Sequence, residues 1–254
     1  MRLQAPNLTF KHCFFDRAGG VSTGVFGGLN ISPKGVASAD ELWQNLGIAA
    51  REMGLKLSDL LLLNQGVSNR ALRVEAASSY TLTADGAATK TKNVALCLRT
   101  ADCAPILLED AVNKVIGAAH AGWRGAVDGI IENTIETMIS LGAERDKIKA
   151  AVGPCIAQKS YEVDKRFYKN FIARSKEYHQ FFICSPEAKY YFDLAAFCRF
   201  RLEKCGIDDI AVLMKDTYAL AEDYYSYRRF THQGVIKPQV GFGAQLSLIV
   251  MPKE

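Results

Sequence analysis

The sequence predicts an α+β fold: a single layered α/β domain over residues 1–254 with a mixed central sheet. Short apolar or β-branched runs alternate with segments whose apolar residues recur at helical spacing. Two of the runs are joined by a hairpin-length connection while others are separated by whole helices, which predicts a sheet with parallel and antiparallel pairs. No repeat, low-complexity tract or Pro/Ser-rich linker divides the chain, so no domain boundary is drawn.

The first helix is announced by Ser38-Ala39-Asp40-Glu41, a capping-box pattern. Leu42, Leu46, Ala49, Ala50 and Met53 follow on one face, and Gly54 is its stop. A second helix is predicted from about Ala126 to Leu141, with Val127, Ile130, Ile131, Ile135, Met138 and Ile139 on one face and Gly142 behind it. A third follows Asp193 and ends before Gly206. Strands are predicted at Val94–Leu98, Ile106–Leu108, Val115–Ala119, Ile148–Val152, Ile210–Met214 and Leu246–Val250.

Composition narrows the function classes. Hydrophobic residues make up 49% and charged residues 23% of the chain, which excludes a disordered or fibrous protein. No apolar run approaches the roughly 18 residues that cross a bilayer, so no membrane partner is expected; Leu60–Leu63 is only of strand length. The first fifteen residues lack an apolar core and a small-residue cleavage site, which predicts a cytoplasmic protein. The 7 cysteines are scattered and form no Cys-x-x-Cys pair, arguing against a disulfide framework or a zinc ribbon. A net charge of +4 without Lys/Arg runs predicts no nucleic-acid partner and suits a small anionic ligand.

Candidate chemistry stands at strand ends. The Val94–Leu98 run leads into Arg99-Thr100-Ala101-Asp102-Cys103-Ala104-Pro105, and Val115–Ala119 leads into His120-Ala121-Gly122-Trp123-Arg124-Gly125. If these strands are neighbours, Cys103 and His120 converge and can share a metal or act as nucleophile and base. The alternative is a small buried thiol and a hydrogen-bonded core histidine. Gly153-Pro154-Cys155-Ile156 places backbone N–H groups near the same end, or is an ordinary strand-to-helix turn. Gly19–Gly28 lacks the phosphate-loop and dinucleotide patterns and reads as a flexible loop able to act as a lid. In Ser226-Tyr227-Arg228-Arg229, two guanidiniums can grip phosphate or carboxylate, or simply face solvent.

Taken together, these stretches, with Arg17-Ala18-Gly19-Gly20-Val21-Ser22, Leu29-Asn30 and Ala84-Asp85-Gly86, occur in the order of one family. The sequence resembles the laccase-like "multicopper polyphenol oxidase" family, described as purine nucleoside phosphorylases, some of whose members are described as editing peptidoglycan precursors. The resemblance implies one catalytic metal, zinc with copper as the other option, bound by two histidines and a cysteine; Cys103 and His120 carry over. It implies phosphorolysis of adenosine, inosine and methylthioadenosine, deamination of adenosine, and a small-molecule substrate pair of purine nucleoside and phosphate. Gln65 carries over from a Gln-x-His motif as a substrate-site residue, and Arg17, Arg124 and Arg228 are the candidate phosphate ligands. The chain departs from the pattern at Val67, which stands where that motif has its histidine. It also has an insertion after Arg229, and Val240-Gly241-Phe242 replaces Thr-Gly-Arg. A valine cannot ligate metal, so a third ligand would have to come from His232 or His179. Three functions follow: a purine nucleoside phosphorylase with an impaired metal site, a metal-free Cys103–His120 thiol hydrolase, or a ligand-binding homologue without turnover.

Overall fold

Leu60, Leu61, Leu62 and Leu63 are all buried, although alternate residues of a strand face opposite ways. The strand must therefore be covered on both sides. Leu60 and Leu62 pack with Leu42, Leu46, Ala49 and Ala50 of helix α1 (Ala39–Glu52). Leu61 and Leu63 pack with Leu107, Ile116, Ala118 and Ala151, which belong to a second sheet. The structure, a computed structural model, describes residues 2–33, 38–185, 189–236 and 241–253.

Two mixed sheets thus lie face to face where one central sheet was expected. The first runs Lys11–Phe14, Gln245–Val250, Ala95–Thr100, Leu60–Asn64, Ser79–Thr83 across its width. The second runs Asp209–Val212, Lys149–Val152, Ala104–Asp110, Val115–Ala121, Gly86–Thr89, Ala71–Arg73. The outer face of the second sheet carries Ile106, Leu108, Val115 and Val152, packed under α3 (Ile130–Ser140) and α5 (Leu194–Lys204). The order of layers is helix, sheet, sheet, helices, and the central strands of each sheet are buried on both faces. Period-2 patterning reports that a strand is buried, but not whether a helix or another sheet buries it.

The predicted helices form with one division. Ser38 Oγ accepts from Glu41 N at 3.2 Å and caps α1, as the sequence pattern requires. Asp193 caps α5 by accepting from Ala196 N at 2.9 Å. The predicted 126–141 helix is instead α2 (Trp123–Asp128) followed by α3, because Gly129 takes φ 101° and ends one helix while opening the other. That left-handed value suits glycine and breaks the hydrogen-bond ladder between two otherwise continuous apolar faces.

All six predicted strands are present, with shifted ends; Ile210–Met214 becomes Asp209–Val212, its last pairing being Val212 with Val152. A third, small sheet (Glu162–Val163, Tyr190–Phe192, Phe182–Cys184) and helix α4 (Lys165–Arg174) carry a cluster of aromatic rings around Phe167, Phe171 and Phe192. Helix α6 (Tyr227–His232) is capped by Ser226, which accepts from Arg229 N. Cys13, Cys97, Cys155 and Cys198 are buried as expected, whereas Cys184 is exposed. Among the described residues no helix is long and apolar enough to cross a membrane.

Candidate active site

The chain leaves the first sheet at Thr100 and enters the second at Ala104, so residues 101–103 cross between the sheets at one end of the sandwich. Cys103 ends that crossing. Its strand pairs antiparallel with Val115–Ala121 in a register that sets Ala104 against Ala121 and Pro105 against His120. Hairpin pairing therefore brings Cys103 and His120 to the same corner of the sandwich, where both line one cavity. Gly122 stands beside them because a Cβ there would lie 3.1 Å from Cys103 Sγ and 3.5 Å from Val67 Cγ1.

Asp85 organises this corner. Buried at the start of the Gly86–Thr89 strand, its carboxylate accepts from Gly66 N (3.2 Å), Val67 N (3.1 Å), Ser68 N (2.6 Å) and Ser68 Oγ (2.6 Å). It also accepts from His120 Nδ1 at 2.8 Å, which fixes a proton on Nδ1 and the orientation of the ring. Burial alone would raise the Asp85 pKa; the bonds from His120 and Ser68 outweigh it and bring it down to about 2. Burial alone would lower His120, but the neighbouring Cys103 and Asp85 charges and hydrogen bonds raise it to about 9. Three successive N–H groups drawn onto one carboxylate also hold Val67 at φ 60°. For a β-branched residue that is a strained conformation, costing roughly 1–2 kcal/mol.

A second carboxylate, Asp102, ties the crossing to α6. It sits at φ 83°, is buried, and accepts from Thr217 Oγ1 (2.7 Å), Ser226 Oγ (2.9 Å) and Arg228 N (2.7 Å). Burial holds its pKa above the usual carboxylate value despite these donors. The Arg228 guanidinium is thereby placed over the Tyr161 ring at 5.1 Å, donating to the Glu162 carbonyl at 2.6 Å. Arg99 also lines the cavity, its guanidinium 5.3 Å from the Tyr80 ring centre.

These groups surround a cavity of about 980 Å³, with Tyr80, Trp123, Tyr161, Tyr227 and Phe242 as aromatic walls. Val67, Cys103, His120, Gln65, Arg99 and Arg228 all line it. Tyr80 Oη and Thr100 Oγ1, on two lining residues, are buried and make no hydrogen bond within the protein.

The profile of the family described as "Multi-copper polyphenol oxidoreductase laccase" matches residues 11–252. The chain belongs to that family. The laccase-family chain is 41% identical over 181 residues to "Purine nucleoside phosphorylase RP494" of Rickettsia prowazekii, covering 71% of this chain and 75% of that protein. It is 38% identical over 232 residues to a purine nucleoside phosphorylase of Deinococcus radiodurans, covering 89% and 87%. Among solved structures, Neisseria meningitidis protein NMB0706 superposes with a TM-score of 0.87 at 28% identity, covering 99% of each chain. Bacillus licheniformis YfiH does so with a TM-score of 0.86 at 26% identity, covering 94% of this chain and 92% of that one.

The family's description points to metal, so the donors of this laccase-family site have to be tested against one. A catalytic zinc takes three protein ligands and keeps one open position. Among the described residues no group of three His, Cys, Asp or Glu side chains is placed to hold an ion. Cys103 and His120 offer two donors, the Asp85 oxygens already receive five hydrogen bonds, and the side chain beside Cys103 in the remaining corner is that of Val67. His232 pairs with the Tyr218 hydroxyl and His179 with that of Tyr168, and neither lines the cavity. The donor set does not fit a three-ligand metal.

The other expected residues divide between the cavity and its supports. Gln65 lines the cavity, but its amide is bonded at both ends to Arg99, accepting from N and donating to O at 2.8 Å each, in the manner of one more residue of the sheet. Arg17 does not line the cavity: it donates to the Val25, Gly27 and Ala221 carbonyls and covers the Tyr225 ring at 4.6 Å. The Gly19–Gly28 segment is therefore pinned, with Phe26 buried and Ser22 bridged to Gly28, rather than a free lid. Arg124 stacks on Trp123 and faces a separate cleft with Arg174. Arg229 is buried rather than solvated, donating to the Thr217, Tyr218 and Tyr224 carbonyls. The Thr-Gly-Arg replacement lies partly outside the described residues, since Val240 is among those not described; Phe242 faces the cavity. Tyr80 is a lining residue that no motif of the sequence pointed to, and Arg99, Asp85 and Asp102 stood only inside longer motifs with no role of their own.

Proposed function

We propose that this chain is a purine nucleoside phosphorylase that binds a purine nucleoside and inorganic phosphate in the cavity above Cys103 and His120. The observation that carries the reading is an aromatic-walled cavity lined by two arginines, in a chain 41% identical to a protein named for this activity. Aromatic faces such as Tyr161 and Tyr227 suit a planar base. Arg228 and Arg99 supply the cations for phosphate, with Arg228 held in place through Asp102. In the reaction, a phosphate oxygen forms a bond to C1′ of the ribose as the C1′–N bond breaks; the purine leaves with the electron pair and takes up a proton. The protein's contribution is positioning and charge neutralisation. Deamination of adenosine is not assigned, since it needs an activated water and the two donors here do not supply a metal to activate one. The test is chromatography of adenosine and inosine incubated with protein, with and without phosphate. Release of free base that depends on phosphate supports the reading; binding without release points to a ligand-binding homologue.

The Asp85–His120 hydrogen bond beside Cys103 favours a second reading, a thiol hydrolase with nucleophile, base and orienting carboxylate. Mass spectrometry after exposure to an activated acyl ester tests it, with a Cys103 adduct expected and its absence removing the reading.

A further inference from the structure

The disagreement between this site and a three-ligand metal has a chemical consequence. We infer that this chain carries out nucleoside phosphorolysis without a bound metal ion. The inference rests on the nucleoside reading above for its substrate, but its physical basis is separate. The Asp85 carboxylate draws in the N–H groups of residues 66, 67 and 68 and holds residue 67 in a left-handed conformation that Asn, Asp, His or Gly adopts far more readily than Val. The backbone is thus shaped to present a side chain at the corner shared with Cys103 and His120, and the side chain presented is an isopropyl group. Its methyl groups occupy that corner and exclude a donor from it. No other histidine lines the cavity, and the nearest carboxylate, Asp85, is saturated by N–H and O–H donors.

Phosphorolysis closes chemically without an ion. The C1′–O bond that forms replaces the C1′–N bond that breaks, the purine keeps the bonding pair, and no electron changes hands beyond that exchange. What the step requires is a held phosphate and a held base, and Arg99, Arg228 and the aromatic walls can supply both. Cys103 and His120 then form part of the cavity wall rather than a pair of ligands.

The test uses the full chain and separates metal from nucleoside. Natural protein, dialysed against a chelator, is analysed for metal content. Zinc is then titrated by calorimetry into it and into Val67→His, with thermal melting to verify that both are folded. Adenosine binding and phosphate-dependent base release are measured before and after chelation. The expected results are well under one ion per chain, base release unchanged by the chelator, and zinc binding at least about 10-fold tighter in Val67→His than in the natural chain, the low end of what an altered metal shell costs. A full equivalent of metal surviving dialysis, or base release lost on chelation and regained with zinc, overturns the inference; so does equally tight zinc binding by both proteins. If adenosine is neither bound nor cleaved, the nucleoside reading falls, and the metal content and zinc affinities still decide whether this chain holds an ion.

Discussion

Replacing Asp85 by Asn keeps the shape of the side chain and removes its charge and one acceptor. One of its oxygens, Oδ1, receives Val67 N and His120 Nδ1; the other receives Gly66 N, Ser68 N and Ser68 Oγ. Whichever way the amide turns, its NH2 meets at least two donors. A buried group left unsatisfied costs about 1–3 kcal/mol. The charge can be gauged separately, because the Asp85 pKa falls from 3.8 to about 2, worth about 2 kcal/mol at neutral pH. These figures overlap, and we expect Asp85→Asn to lose roughly 3–4 kcal/mol at pH 7. The pH dependence has a definite sign. With the folded value below the unfolded one, the unfolded chain binds more protons between them, so the contribution is complete above about pH 4 and is lost as pH falls toward about 2. Urea denaturation of both proteins at pH 7 and at steps down to pH 3 measures both effects. The variant should be less stable and lose less on acidification. A variant within about 0.5 kcal/mol of the natural chain at pH 7, with an unchanged acid limb, refutes the view that this carboxylate ties the corner together.

The His120 pKa, raised from 6.5 to about 9, contributes stability that is complete below about pH 6.5 and lost as pH rises through about 9; His120→Gln should flatten that alkaline limb in thermal melts. Relief of the left-handed strain in Val67→Asn should raise stability by roughly 1 kcal/mol in urea titrations, since Asn tolerates this conformation; a loss would show that Val67 earns its place by packing. Arg228→Ala should raise the KM for phosphate at least about 10-fold, the effect of a lost charge-assisted contact, and weaken its dependence on ionic strength; an unchanged KM removes Arg228 from phosphate binding.

The sequence carried the caps and the pairings more clearly than the layers. Ser38 and Asp193 act where they were read because a helix N-terminus needs a local acceptor, and that need is written within three residues. The meeting of Cys103 and His120 was legible for a similar reason, since a hairpin connection fixes the register that joins them. The second sheet was not legible, because Leu61 and Leu63 would alternate in the same way against a helix. Gly129 lies inside the predicted 126–141 helix, and its φ of 101° divides that helix in a way the apolar spacing does not reveal. Arg17 was misjudged for a different reason: residue type reveals a charge, but only the fold reveals that Val25, Gly27 and Ala221 have already claimed it. Asp85 and Arg99 lie 35 and 34 residues from their partners His120 and Gln65, beyond any local pattern.

The crossing at residues 101–103 makes the site inseparable from the body of the protein. Local opening that exposed Cys103 and His120 to bulk water would have to part the two sheets, because within a few residues the chain is stitched to one at Thr100 and to the other at Ala104. The amides of Ala119 and Ala121, whose strand carries His120, should therefore exchange with solvent only through global unfolding, at the slowest rates in the molecule. Loss of the site on heating should coincide with loss of the fold, leaving no intermediate that is folded but stripped of its cavity.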